Sequence, residues 1–81
     1  MKYEYQIKKI NWNNQSDRDK WEIEALFYGL ENSIVVTEII NGVETTELFL
    51  GDNFFDKEHK EDSVEYRIVK WFFMNDPERF I

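Results

Sequence analysis

The residues in this chain best suited to chemistry are a histidine set among acids and two carboxylates two positions apart. His59 lies within Asp56-Lys57-Glu58-His59-Lys60-Glu61-Asp62, and an imidazole beside carboxylates is a donor set that a divalent cation accepts. The spacing matches no zinc motif, and the stretch from Asp52 to Glu61 lacks the glycine and ligand periodicity of a calcium loop. The run reads instead as a solvated acidic loop holding no metal. Glu22 and Glu24 would point the same way on a strand, as a general acid and base do. Two exposed acids on a strand are ordinary, however, and nothing near them suggests a pocket to shift a pKa. With three serines, one histidine, no cysteine and no glycine-rich phosphate loop, no nucleophile and base pair can be nominated. The expectation is a non-catalytic protein with no cofactor.

Size and charge narrow the classes further. At 81 residues the chain is a single domain with one modest core and no room for a cleft between domains. The lack of cysteine excludes a disulfide framework and fits a reducing compartment. The opening Lys2-Tyr3-Glu4-Tyr5 has no apolar signal-peptide core, and no apolar run nears the roughly 20 residues that span a bilayer. These features lead us to expect a soluble, cytoplasmic protein. The net charge is −7, and it is unevenly spread: residues 21–65 hold twelve acids and only Lys57 and Lys60, a balance of −10. Such a field repels nucleic acid and anionic membrane and speeds encounter with a basic surface. It also keeps a small aromatic-rich domain in solution.

The elements that would position these acids follow from periodicity. Tyr3-Glu4-Tyr5-Gln6-Ile7-Lys8 alternates at period two and reads as a first strand ending near Trp12, with the polar run from Asn13 to Lys20 as a connection. Trp21-Glu22-Ile23-Glu24-Ala25-Leu26-Phe27-Tyr28 begins with apolar and acidic residues in alternation, as a half-buried strand would. The alternative is a helix over residues 17–29, capped within Ser16-Asp17-Arg18-Asp19. Two β-branched runs, residues 33–40 and 43–50, flank Asn41-Gly42, the strongest short-range hairpin signal. After an acidic loop, Asp62 or Ser63 can cap a helix that Asn75-Asp76-Pro77 ends. In that helix Val64, Ile68, Trp71 and Phe72 share one stripe while Tyr66, Val69 and Phe73 lie elsewhere, so it demands burial on two sides. Trp71, Phe72, Phe73 and Phe80 read as core. The fold expected is α+β: a small antiparallel meander of about four strands packed by one C-terminal helix, or, with residues 17–29 helical, βαββα.

In the four-stranded register, Trp21, Ile23, Ala25, Phe27, Ile34, Val36, Ile40, Val43 and Phe49 face the helix and the core. Glu22, Glu24, Leu26, Tyr28, Val35, Thr37, Ile39, Glu44, Thr46 and Leu48 face outward. Acids interleaved with Tyr, Leu and Val suit a protein-binding face better than a solvated one. The candidate partner-binding residues are Glu22, Glu24, Leu26, Tyr28, Glu38, Glu44, Glu47, Asp52 and Asp56. Glu38 and Glu47 fall on the core side of this register, which places them at its margin or argues against the register.

Direct nucleic-acid binding is the weaker reading of Lys2, Tyr3, Tyr5, Lys8, Lys9 and Trp12, where bases interleave with aromatics. Tyr3, Tyr5 and Ile7 share one face of a strand, and the total charge opposes a polyanion. In size, acidity, aromatic content and lack of catalytic residues the chain resembles, as a class, the small anti-CRISPR and anti-restriction inhibitors of phages and mobile elements. The resemblance rests on composition along the whole chain and on no family motif. It implies a bacterial-host cytoplasm and a steric mechanism: carboxylates stand where phosphates would lie and block the basic groove of a nuclease or effector. The contrasting expectation is a structural or regulatory interaction module, homodimeric or bound to a protein unrelated to nucleic acid.

Overall fold

Five elements and a closing turn account for the chain: β1 (Tyr3–Lys9), α1 (Gln15–Tyr28), β2 (Ile34–Ile40), β3 (Val43–Leu50), α2 (Val64–Asn75) and a 3₁₀ turn (Pro77–Phe80). The computed structural model describes residues 2–80 apart from the side chains of 79 and 80, so the expectation for Phe80 lies outside the described residues. The fold is α+β with one antiparallel sheet in the order β1-β2-β3. It has three strands rather than four, because residues 21–28 are helical and the order is βαββα.

The helix wins over the strand for reasons visible at its ends. Asn14 is the N-cap, its side-chain oxygen accepting the Asp17 N–H at 3.1 Å, and Gly29 closes the C-terminus at φ 91° while its N–H donates to the Ala25 carbonyl. Asp17, Trp21 and Ala25, spaced by four, are the buried positions. The alternation that imitates a strand comes from acids falling on either flank of this narrow stripe.

β2 explains why both helices are needed. Its Ile34-Val35-Val36 run is buried residue by residue rather than alternately, so both faces of the sheet are covered. On one face Ile34, Val36 and Leu50 pack with Phe54 and with Ile68 and Phe72 of α2. On the other, Val35 and Phe49 pack with Ile10 and with Trp21 and Ala25 of α1. Each fully buried side chain of this size contributes about 1.5–3 kcal/mol. Val35 and Ile39 are therefore interior, not on an outward face.

The hairpin turns at Asn41 (φ 53°) and Gly42 (φ 82°), as its sequence demands. Two steps further, the ladder shifts: Ile39 pairs with Glu44 but Glu38 pairs with Thr46, leaving Thr45 as a bulge whose hydroxyl donates to the Glu38 carbonyl at 3.0 Å. One extra residue exchanges the two faces of the rest of β3. Leu48 and Leu50 thereby join Ile34 and Val36 under α2, while Glu47 and Phe49 turn toward α1, correcting the unbulged register. α2 begins as its sequence indicates, with the Ser63 hydroxyl accepting the Tyr66 N–H at 3.1 Å. Its second apolar side is incompletely covered, since Phe73 and Met74 are exposed.

Candidate protein-binding surface

The nine acids and apolar residues that sequence reasoning grouped do not share one face. Glu38 leaves the surface altogether. It is 2% exposed, and its carboxylate accepts Arg67 Nε at 2.9 Å, Arg67 Nη2 at 3.1 Å and the Tyr5 hydroxyl at 2.8 Å. Arg67 in turn lies over the Tyr3 ring, 5.1 Å from its centroid. The Arg67 hydrogen bonds hold the Glu38 carboxyl below its ordinary range against the opposing cost of burial. Burial and the adjacent Glu38 push the Tyr5 hydroxyl up to about 12. A carboxylate so enclosed ties α2 to the sheet and is not available to a partner.

Helicity also separates Glu22 from Glu24, since residues two apart on a helix point about 200° from one another. Glu22 lies with Trp12, Arg18, Ala25, Leu26 and Leu30 around a shallow, mainly apolar hollow of about 340 Å³. Glu24 turns to the opposite flank. There it meets Tyr28, Glu47 and Asp52 along a groove of about 500 Å³, whose floor and far wall include Phe49, Phe54 and Glu65. Four of the expected binding residues thus converge, though from a helix, a strand and a loop rather than from one sheet face.

Asp52 anchors that end of the groove. Its carboxylate accepts the Glu31 N–H at 2.6 Å and its own N–H donates to the Tyr28 carbonyl at 2.6 Å. A Cβ at Gly29 would collide with the Asp52 carboxylate and one at Gly51 with Tyr28, so the end of α1 and the end of β3 are clamped together. Glu47 is exposed and paired with Lys20 at 2.9 Å. Glu44 is exposed on β3 near the hairpin, and Asp56 is exposed on the following loop. Neither lines the groove. His59 is more fixed than a solvated loop residue: its Nε2–H donates to the Phe54 carbonyl at 2.8 Å and its ring packs 4.8 Å from the Phe54 ring. Among the described residues no three His, Asp or Glu side chains are grouped to hold a metal ion.

Of the most exposed apolar surface on the helices, sequence reasoning placed Leu26 outward but assigned to the core Ile23 and Phe27, which the helix turns out to solvent. On the outward face of α1, Ile23 is 66%, Leu26 81% and Phe27 80% exposed, and Leu30, just past the helix, is 59% exposed. Their spacing of 0, 3, 4 and 7 was the available signal, and it pointed away from the core rather than toward it. Asp19 and Glu22 flank this stripe as exposed acids, with Arg18 and Lys20 as exposed bases on the same helix. At the inner N-terminus of α1, Asp17 bonds Lys8 at 2.8 Å and the Asn11 N–H at 3.0 Å, contacts that hold its carboxyl below the usual range. These bonds fix the helix to β1 and so fix where the stripe points.

No described helix is long and apolar enough to cross a membrane. No protein-family model, curated protein or solved structure matches the chain.

Proposed function

We propose that this chain is a small, non-catalytic acidic inhibitor. It docks on the basic surface of a nucleic-acid-handling protein, a nuclease or a CRISPR or restriction effector, and blocks its nucleic-acid site sterically. The observation that carries the reading is the outward face of α1, where Ile23, Leu26, Phe27 and Leu30 stand exposed inside a charged rim that holds Asp19 and Glu22 along with Arg18 and Lys20. Contiguous apolar side chains with a polar rim have the anatomy of an interface, the centre supplying affinity and the charged rim approach rate and partner choice. A net charge of −7 directs that approach toward a cationic surface. The same charge sets direct nucleic-acid and anionic-membrane binding aside as functions.

The test is capture of partners by the tagged protein from nuclease-treated bacterial lysate, washed at low and high salt. Recovery of a nuclease, helicase or effector that added DNA or RNA displaces is the expected result. A salt-resistant partner indifferent to nucleic acid would replace this reading with the second one, an interaction module. A homodimer through the α1 stripe is the form of that module with an observation behind it, since an exposed apolar helix face can pair with its own copy. Sedimentation of the isolated protein separates the two, because the inhibitor reading expects a monomer.

A further inference from the structure

β3 is an edge strand, with β2 as its only strand partner among the described residues. In an antiparallel pair every second residue turns its N–H and C=O away from the partner, so β3 carries an open half-ladder on its other side. The groove beside it is lined by Glu47 and Phe49, which face α1, and by Leu48, which faces α2. A single cavity reached by residues from both faces straddles the strand's free edge. α1 forms one wall through Trp21 and Glu24, and the loop and helix after β3 form the other through Phe54 and Glu65. The bulge at Thr45 interrupts the regular strand at one end, and the bond from the Asp52 N–H to the Tyr28 carbonyl ties down the other. Thr46–Phe49 remains between them, about 13 Å of strand at roughly 3.3 Å per residue.

We propose that this groove binds an extended, basic polypeptide segment that adds to β3 as a fourth strand. Backbone pairing supplies the fixed geometry, and the alternating side chains of the guest meet the two walls. Charge selects the occupant. Glu24, Glu47, Asp52 and Glu65 line the groove against Lys57 and His59, and the Lys20 ion pair with Glu47 is exposed on both sides, so an incoming guanidinium shares that carboxylate readily. Apolar residues between the acids, Trp21, Leu48, Phe49 and Phe54, fit apolar guest residues at the intervening positions. A second copy of this chain is a poor guest, because its β3 carries Glu44 and Glu47 and no basic residue to meet the acids of the groove. The inference stands apart from the α1 stripe and does not require it.

The probe is acetyl-Arg-Val-Arg-Val-Arg-Val-amide titrated into the full-length ¹⁵N-labelled protein. Expected are amide shifts and slowed hydrogen exchange confined to Thr46–Phe49 and the groove walls, and weakening by about tenfold or more when Glu24→Lys and Glu47→Lys are combined. Two twin peptides, N-methylated at the odd or at the even residues, test strand addition itself. One twin loses binding by about tenfold or more and the other retains it, since only one edge of the guest pairs with β3. Equal binding of the two twins, equal binding of the Glu-Val counterpart, or dimerisation through β3 would overturn the proposal. Replacing Leu26 and Phe27 by Ser leaves peptide binding unchanged, so failure here and failure of the α1 docking reading are told apart.

Discussion

Glu38 is the residue on which the two halves of the molecule meet. Its strand belongs to the sheet and its guanidinium partner to α2, and three hydrogen bonds satisfy a carboxylate that would otherwise be costly to bury. Glu38→Gln keeps the volume but strips the charge that Arg67 faces, and is expected to cost about 3 kcal/mol of unfolding free energy. Tyr5→Phe removes a single bond and should cost about 1 kcal/mol. Denaturant titrations of the two variants check this order, and equal losses would mean that the ion pair is replaceable by packing alone. The pH dependence follows with its sign. Glu38 and Asp17 both have carboxyls depressed on folding, so their stabilisation is present above the ordinary carboxylate range and is lost as pH falls through the depressed folded values. Tyr5 works at the other end: its hydroxyl is raised to about 12, so its contribution is intact below its ordinary value of 10.0 and is lost between there and about 12. Thermal melts should therefore show a plateau through neutral pH with losses on both sides. In Glu38→Gln the acid limb should flatten.

Among the elements, α1 has the most to explain, because it buries only a narrow stripe and yet is sharply bounded. Its stability leans on its caps and on the Lys8–Asp17 contact, so Asn14→Ala should cost about 1 kcal/mol. Leu26→Ser with Phe27→Ser should leave the melting temperature within a degree or two, since both side chains are about four-fifths exposed, while abolishing partner capture. A large loss of stability in that double variant would show that the stripe is structural after all. The strand reading of this segment failed because Trp21-Glu22-Ile23-Glu24-Ala25 alternates, and alternation weighs heavily in a short window. A stronger clue lay elsewhere, in Ile34-Val35-Val36: an unbroken apolar run needs cover on both faces, and one C-terminal helix covers one. The hairpin and α2 were legible because Asn41-Gly42 and Ser63 act through local backbone geometry. The bulge was not, since Thr45 and Thr46 are the same residue and either serves as the extra one until the packing of Leu48 and Phe49 decides. That ambiguity propagated to the site. Glu47 is a surface acid beside α1 only because of the bulge, and Glu24, Tyr28 and Asp52 reach it only because residues 15–28 are helical.

For the whole molecule, charge acts in opposite directions on folding and on binding. The acids of residues 21–65 are drawn together when the chain folds, and the described basic side chains neutralise few of them: Lys20 and Arg67 pair with Glu47 and Glu38. A compact body at −7 repels itself, and the repulsion reaches about 30 Å at 0.01 M salt but only about 3 Å at 1 M. The free protein should therefore melt at a higher temperature as salt is added. Attraction to a basic partner runs over the same distances and is screened by the same ions, so the complex should weaken while its acidic component becomes more stable. Purely apolar docking predicts a different pair of trends, with stability rising and affinity almost constant. Measuring melting temperature and dissociation constant in one salt series distinguishes the cases, because a protein destabilised by salt would lose affinity for a reason unrelated to its surface. A rise in melting temperature together with an affinity independent of salt would reduce the acidity to a solubility device. The contacts of Ile23, Leu26 and Phe27 would then be left as the whole of the interface.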